Sequence, residues 1–526
     1  MQQKDHFTRA DTLRGTLSPL RSCYDVTFYG LDVDVNVADS SLTGSVEFRY
    51  KTVADFTELQ IDLFAQMKVE KILFHGKELP YKREFNAVFV TFPEQQKKGS
   101  ENGFTVYYSG KPNVAKNAPW DGGFDFAKDE NGKPWIATAV QGHGASSWWP
   151  CKDHQSDEPD SMRIRVTVPE GLMDVSNGRL ISTEKKGGKN TFTWYVSSPI
   201  NNYCVALNIG DYAHLPQQHY KGLDGDLTLD YYVLKGHEKE AEAQFDRNVK
   251  PMLAAFEDWF GPYAFYKDGY KLVETPHLGM EHQSAVAYGN KFKNGYRGRD
   301  LSGTGWGEKF DFIIIHESGH EWFGNNITSK DVADMWIHEG FTAYSEPLFI
   351  EHQFGKKAGF EYIAGIRKNI QNDKPIIGPY GVNKEGSGDM YYKGSNMLHT
   401  IRLIINDDAK WKSILRGLNK TFRWKTVTTE DILGYMNKAS GKNLKPVFDA
   451  YLRHVEAPKF SYQLKNGKLY YQLISPVKEL VLPVTIKSGA KTLRLEATTS
   501  EKSMAAAGPV TVDPLGVYVL PEEKSK

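Results

Sequence analysis

His316-Glu317-Ser318-Gly319-His320 is the stretch on which the reading of this 526-residue chain turns. An α-helix advances about 100° per residue, so His316 and His320 lie one above the other on a single helical face. Two imidazoles arranged in that way can reach one metal ion, and Glu317 beside them is placed to act on a water there. The flanks, Phe312-Ile313-Ile314-Ile315 before and Trp322-Phe323 after, are apolar enough for a buried helix. With 15 histidines in the chain, this spacing would arise by accident in roughly a few per cent of such sequences. A third donor strengthens the pair: Asp334-Met335-Trp336-Ile337-His338-Glu339-Gly340-Phe341 reads as the start of a second helix that returns the Glu339 carboxylate to it. Two histidines and a glutamate with an open fourth position make a catalytic zinc arrangement, whereas structural sites are closed by four protein ligands. One zinc ion on His316, His320 and Glu339 is therefore expected.

This pattern, with a W-x-x-E-G-F-type segment at this distance, resembles the gluzincin aminopeptidases of peptidase family M1, the aminopeptidase N and leukotriene hydrolase group. The resemblance implies a multidomain α+β protein. Its parts would be an N-terminal β-saddle or sandwich domain, a thermolysin-like, mainly helical zinc catalytic domain, and a small C-terminal β-sandwich. It also implies hydrolysis of the N-terminal residue from peptides with a free N-terminus, with Glu317 as general base.

Three further segments carry the resemblance. Leu278-Gly279-Met280-Glu281-His282 is similar to the family's G-x-M-E-N edge strand. There the carboxylate, Glu281 here, binds the substrate ammonium, and the backbone around Gly279 and Met280 pairs with the peptide. Leu278 replaces the first glycine and His282 the final asparagine. The Gly-rich stretch from Gln141 to Asp153 looks like the N-domain loop that reaches into the cleft, with Gln141 helping to bind the free amine; Ala139 stands where the family often has Gln. Asp389-Met390-Tyr391-Tyr392-Lys393-Gly394 resembles the Y-E-K-G segment, which gives Tyr391 the role of polarising the scissile carbonyl. Tyr392 replaces the glutamate; helical geometry aims adjacent residues about 100° apart, so only one tyrosine can serve. Glu346, seven residues past Glu339, faces the same side and is a candidate acceptor for a ligand histidine. His338 and Glu321 stand where the family has Asn and Gln, substitutions that bear on the charge of the site.

A thermolysin-type endopeptidase would keep the zinc site and make Glu281 incidental. A non-catalytic scaffold would be expected to have lost a ligand or the base, and none of His316, Glu317, His320 or Glu339 is missing.

Composition sets the outer bounds. A hydrophobic fraction of 40% and a charged fraction of 25% mark an ordinary globular protein. Lys+Arg and Asp+Glu both number 65, which is no nucleic-acid footprint. No apolar run approaches a membrane span. Cys23, Cys151 and Cys204 lack metal spacing and allow at most one disulfide. No signal peptide is present, making the cytoplasm the default compartment. Met1-Gln2-Gln3-Lys4 nevertheless looks like a trimmed terminus with an added methionine, which fits a periplasmic or secreted form.

Along the chain, residues 1–212 read as a β-domain: Leu31, Val33, Val35 and Val37 alternate with polar residues, and Val46, Phe48 and Tyr50 repeat the pattern. Residues 213–456 read as the catalytic domain. An amphipathic helix is expected from Glu238 to Trp259, kinked or restarted at Pro251. Thr428 with Asp431 signals a capped helix ending near Gly441. Residues 457–526 read as the small β-sandwich, with an Asn466-Gly467 hairpin and a frayed tail from Pro521 to Lys526. A short form is therefore expected, without the large helical domain that closes over the site in many family members, its cleft open or covered by a partner subunit in a homo-oligomer.

Overall fold

The computed structural model describes residues 6–506 and 508–524. The first four residues, in which a trimmed terminus was read, lie outside that range, as do the last two of the expected tail.

The N-terminal region is built on Tyr24–Asn36, the alternating strand of the sequence. It pairs antiparallel with Ser41–Thr52, Leu31 opposite Val46, and parallel with Ser161–Pro169, Leu31 opposite Ile164. These strands sit in an eight-stranded sheet whose alternate side chains fill an apolar core. A second, four-stranded sheet contains Pro134–Ala139 between Gly123–Lys128 and Asn208–Gly210. Its strand Pro134–Ala139 delivers the chain directly into Gln141. The loop beyond is anchored by Trp148 and Trp149, both fully buried, and by a bridge between Asp62 and Cys151.

The next sheet begins at Tyr212–His214. Gly225–Leu234, Tyr270–Glu274 and Val286–Tyr288 run parallel, and Gly279–Met280 closes the edge antiparallel to Val286–Tyr288. The connection between the first two parallel strands is the helix Glu238–Phe260, which continues unbroken through Pro251; the expected restart does not occur. The helix Phe312–Gly319 packs against this sheet, Trp336–Phe354 against that helix, and Tyr392–Ile405 against Trp336–Phe354.

The helix bearing the first histidine is shorter than its apolar flanks imply. It ends at Gly319, His320 caps it in right-handed helical geometry, and Trp322 and Phe323 lie in turns beyond. Thr428 and Asp431 form a reciprocal capping box, and Gly441 ends that helix in the left-handed region.

The C-terminal strands form two small sheets of four and three strands. The Asn466-Gly467 turn joins Lys459–Lys465 to Lys468–Ile474 as expected. Leu520–Glu523, expected to begin a frayed tail, instead pairs parallel with Lys459–Lys465. Proline at position 521 is tolerated because this strand lies at the edge of its sheet. The sandwich has no separate core: its buried residues are continuous with those of the catalytic helices. The three cysteines are free and buried, so no disulfide forms.

Candidate active site

The helix Phe312–Gly319 is fixed in place by Asp311. As N-cap it accepts from the Ile313 amide, and it also accepts from Tyr288 Oη at 2.6 Å, Gln244 Nε2 at 2.9 Å and Asn290 Nδ2 at 2.7 Å. One wholly buried carboxylate thus ties the helix to the sheet and to the helix Glu238–Phe260. Burial pushes its pKa up to about 6 against the pull of these donors.

His316 and His320 stack on one face with ring centroids 5.1 Å apart. Glu339 Oε2, from the next helix, lies 3.6 Å from His316 Nε2 and 3.4 Å from His320 Nε2. The distal nitrogens are engaged elsewhere. His316 Nδ1 donates to Glu346 Oε1 at 2.9 Å, and Glu346 Oε2 accepts from Tyr362 Oη at 2.7 Å. His320 Nδ1 donates to the Phe323 carbonyl at 3.0 Å. Both rings therefore turn Nε2 toward Glu339 Oε2, a buried oxygen with no hydrogen-bond partner among the described residues. The three donor atoms lie within 4.8 Å of one another. Nitrogen, nitrogen and oxygen donors converging on one point, with their far sides held by acceptors, fit a divalent cation such as zinc. The charges agree. Burial opposes protonation of His316, yet Glu339 and Glu346 hold its pKa well above the ordinary imidazole range, the response of a site built for positive charge.

Glu317 lies alongside, and an added Cβ at Gly279 would come within 2.7 Å of its Oε1. The edge strand approaches the carboxylate that closely because position 279 is glycine. Burial pushes the Glu317 pKa up to about 7. Glu281, at the end of the same edge strand, is 2% exposed, and its Oε1 has no partner among the described residues. Carboxylate oxygens of Glu281 and Glu317 and a nitrogen of His320 lie within 4.8 Å of one another. Met280 lines the cavity beside them.

The Tyr391 ring lies over His316, centroids 5.9 Å apart. Tyr392 also lines the cavity, and the charged or titrating groups that act on it are Glu346 and Tyr296, whereas those acting on Tyr391 are Glu339, Glu385, Glu281 and Glu317. Gln141 reaches the site by a different contact from the one expected: its Nε2 donates to Glu339 Oε1 at 2.7 Å. In this structure it holds a metal-binding residue.

The substitutions that bear on site charge are neutralised by their surroundings. Burial pushes the His338 pKa down to about 3. Its Nε2 accepts from the Ser329 amide at 2.8 Å, leaving Nδ1 to face Tyr203 Oη at 3.3 Å. Burial pushes Glu321 up to about 8, with Ser284 N–H donating to it, and drives His282 down to about 3.

His316, Glu317, His320, Glu339, Glu281, Gln141 and Tyr391 share a cavity of about 490 Å³. Sequence reasoning missed the contributions of Pro119, Trp120 and Glu385 to its wall, and those of Asp311 and Asn325, whose Nδ2 donates to the Glu281 carbonyl at 2.9 Å. Asp311 precedes an apolar run, the one local signal that could have marked it as a cap.

Residues 24–204 match the family model described as Peptidase M1 N-terminal domain, and residues 247–451 match Peptidase family M1 domain. Aminopeptidase N of Lactococcus lactis subsp. lactis is 22% identical over 84% of this chain and 52% of its own length. Human aminopeptidase B is 24% identical over 66% of this chain and 53% of its own. Mitochondrial aminopeptidase 2 of Saccharomyces cerevisiae is 24% identical over 60% of this chain and 34% of its own. The chain thus spans between a third and about half of these relatives. A crystal structure of the M1 zinc metallopeptidase from Deinococcus radiodurans superposes with a TM-score of 0.69 at 22% identity, over 83% of this chain and 94% of that one. At that identity the likeness shows the fold.

Proposed function

The chain belongs to peptidase family M1, and on that footing we propose that it is a zinc-dependent aminopeptidase, removing the first residue from peptides with a free N-terminus. The observation that carries this reading is Glu281: a buried carboxylate oxygen, unpartnered among the described residues, beside the proposed metal-binding trio and at the end of the edge strand of its sheet. A substrate ammonium held there, with the peptide paired along Gly279 and Met280, brings only the first peptide bond to the base.

His316, His320 and Glu339 would hold the zinc ion, which when bound lowers the pKa of water toward ~7 and polarises a carbonyl. Glu317 accepts a proton from the attacking water and passes it to the leaving amine; its raised pKa suits both halves of that transfer. The Tyr391 hydroxyl donates to the carbonyl oxygen as negative charge develops on it. Glu346 keeps the His316 ring in the tautomer that presents Nε2, and Gln141 restrains Glu339 from the opposite side.

The test is hydrolysis of aminoacyl-4-nitroanilides and their N-acetylated counterparts, with metal content measured on the same sample. Cleavage of the free-amine compounds alone, lost on chelation and restored by zinc, supports the proposal. Equal cleavage of blocked compounds would make Glu281 incidental and favour an endopeptidase.

A further inference from the structure

Glu385 has no part in the chemistry above, yet it lines the same cavity as Glu281, Glu317 and Glu339. It stands on the irregular segment before Tyr391, and the N-terminal region staples that segment just ahead of it. Thr16 Oγ1 donates to the Gly381 carbonyl at 2.9 Å, and Asn383 Nδ2 donates to the Gly142 carbonyl at 3.0 Å. Glu385 Oε1 itself faces Gly142, where an added Cβ would come within 2.9 Å. Among the described residues, no group donates a hydrogen bond to its carboxylate and no ion pair reaches it. It is a fixed acceptor without a donor.

Charge matching shows what it lacks. No lysine or arginine lines this cavity; Lys374 and Lys384 line the neighbouring recess, of which Glu385 is also part. A divalent cation would be offset by Glu339 and Glu317, and a substrate ammonium by Glu281. Glu385 is then the carboxylate of this cleft without an assigned partner inside it, and the charge that eases it is that of Lys374. Burial, followed by the negative fields of Glu339 and Glu281, already pushes its pKa up to about 7, so it feels both the metal-binding and the ammonium-binding carboxylates. A first residue whose ammonium meets Glu281 and whose carbonyl meets the metal would share one cavity with Glu385, the carboxylate there that has no assigned partner.

We propose that Glu385 recognises a positively charged side chain on the first residue of the substrate, so that the protein selects N-terminal arginine or lysine. This rests on the aminopeptidase reading and narrows it to a substrate class.

The experiment compares arginine with citrulline, which has nearly the same shape and no charge. Arginyl- and citrullyl-4-nitroanilides are assayed with the zinc-loaded full chain and with Glu385→Gln. In parallel, binding of free L-arginine and L-citrulline is measured by calorimetry on the same samples. The expected wild-type ratio of kcat/KM, arginine over citrulline, is about ten- to a hundredfold, the range of a hydrogen bond to a charged group, and Glu385→Gln brings that ratio close to one. A wild-type ratio near one, or a ratio that survives in Glu385→Gln, overturns the assignment. A variant that loses both substrates alike, keeping the ratio where measurable and the binding preference intact, overturns it too. If neither compound is cleaved by zinc-loaded protein while arginine still binds more tightly than citrulline in wild type alone, the aminopeptidase reading fails and Glu385 keeps its role.

Discussion

Gln141 Nε2, from a loop of the N-terminal β-domain, donates to Glu339 Oε1 across 2.7 Å, while the other oxygen of that carboxylate faces both histidines. The geometry of the proposed metal site therefore depends on the β-domain as well as on the helices that carry His316, His320 and Glu339. Gln141→Ala should weaken zinc binding about tenfold or more, the usual cost of losing a partner of a ligating group. Competition with a fluorescent chelator measures this. Unchanged zinc affinity with a raised KM would instead place Gln141 on the substrate amine.

Glu317 and Gly279 make a second test, because the glycine is what lets the edge strand lie against the base. Glu317→Gln should retain one zinc per chain and lose about 10²- to 10⁴-fold in kcat. Gly279→Ala should also keep its zinc, since position 279 touches no ligand, and lower kcat by displacing Glu317. Retained turnover in metal-replete Glu317→Gln would remove this residue from the role of base.

Asp311 gathers donors from the helix it caps, from the central sheet and from a neighbouring helix. Asp311→Ala leaves those donors buried without an acceptor and should cost about 2–4 kcal/mol of stability. Denaturant unfolding of the two proteins reads the difference. A loss below about 0.5 kcal/mol would mean that the cap is dispensable.

Asp174 gives a pH-dependent prediction. It is wholly buried and, among the described residues, accepts from one side chain, Trp194 Nε1 at 3.1 Å, and leaves its Oδ1 unpartnered. Burial holds its pKa well above the usual carboxylate range. The folded chain thus binds a proton that the unfolded chain releases above about pH 4, so this residue lowers stability progressively as pH rises toward its folded pKa. Asp174→Asn keeps the acceptor for Trp194 and removes that penalty. Its gain in Tm should be larger near pH 8 than near pH 5, and an equal shift at both would show that Asp174 ionises freely in the fold.

What the sequence made legible follows from the range of each interaction. His316, His320, Glu339 and Glu346 could be placed because the helical period alone puts them on facing sides. Burial pattern gave the strand Tyr24–Asn36, and local chemistry gave the turn at Asn466-Gly467. The helix Phe312–Gly319 was read too long because apolar flanks do not reveal that the chain turns away at His320. Pro521 looked like a terminus, since its tolerance depends on an edge position that only pairing with Lys459–Lys465 defines. Asp311 and Glu385 escaped notice because their significance lies in partners, or their lack, more than a hundred residues away in the case of Gly142 and Glu385. His338 and Glu321 looked like added charge, and burial cancels it.

The most direct test of the central claim is a mass-spectrometric time course on one unblocked peptide of about eight residues and its N-acetylated twin, using zinc-loaded protein. The account predicts a ladder of products shortened one residue at a time from the N-terminus of the free peptide, and no change in the blocked one. Internal cleavage products from the acetylated peptide would contradict it.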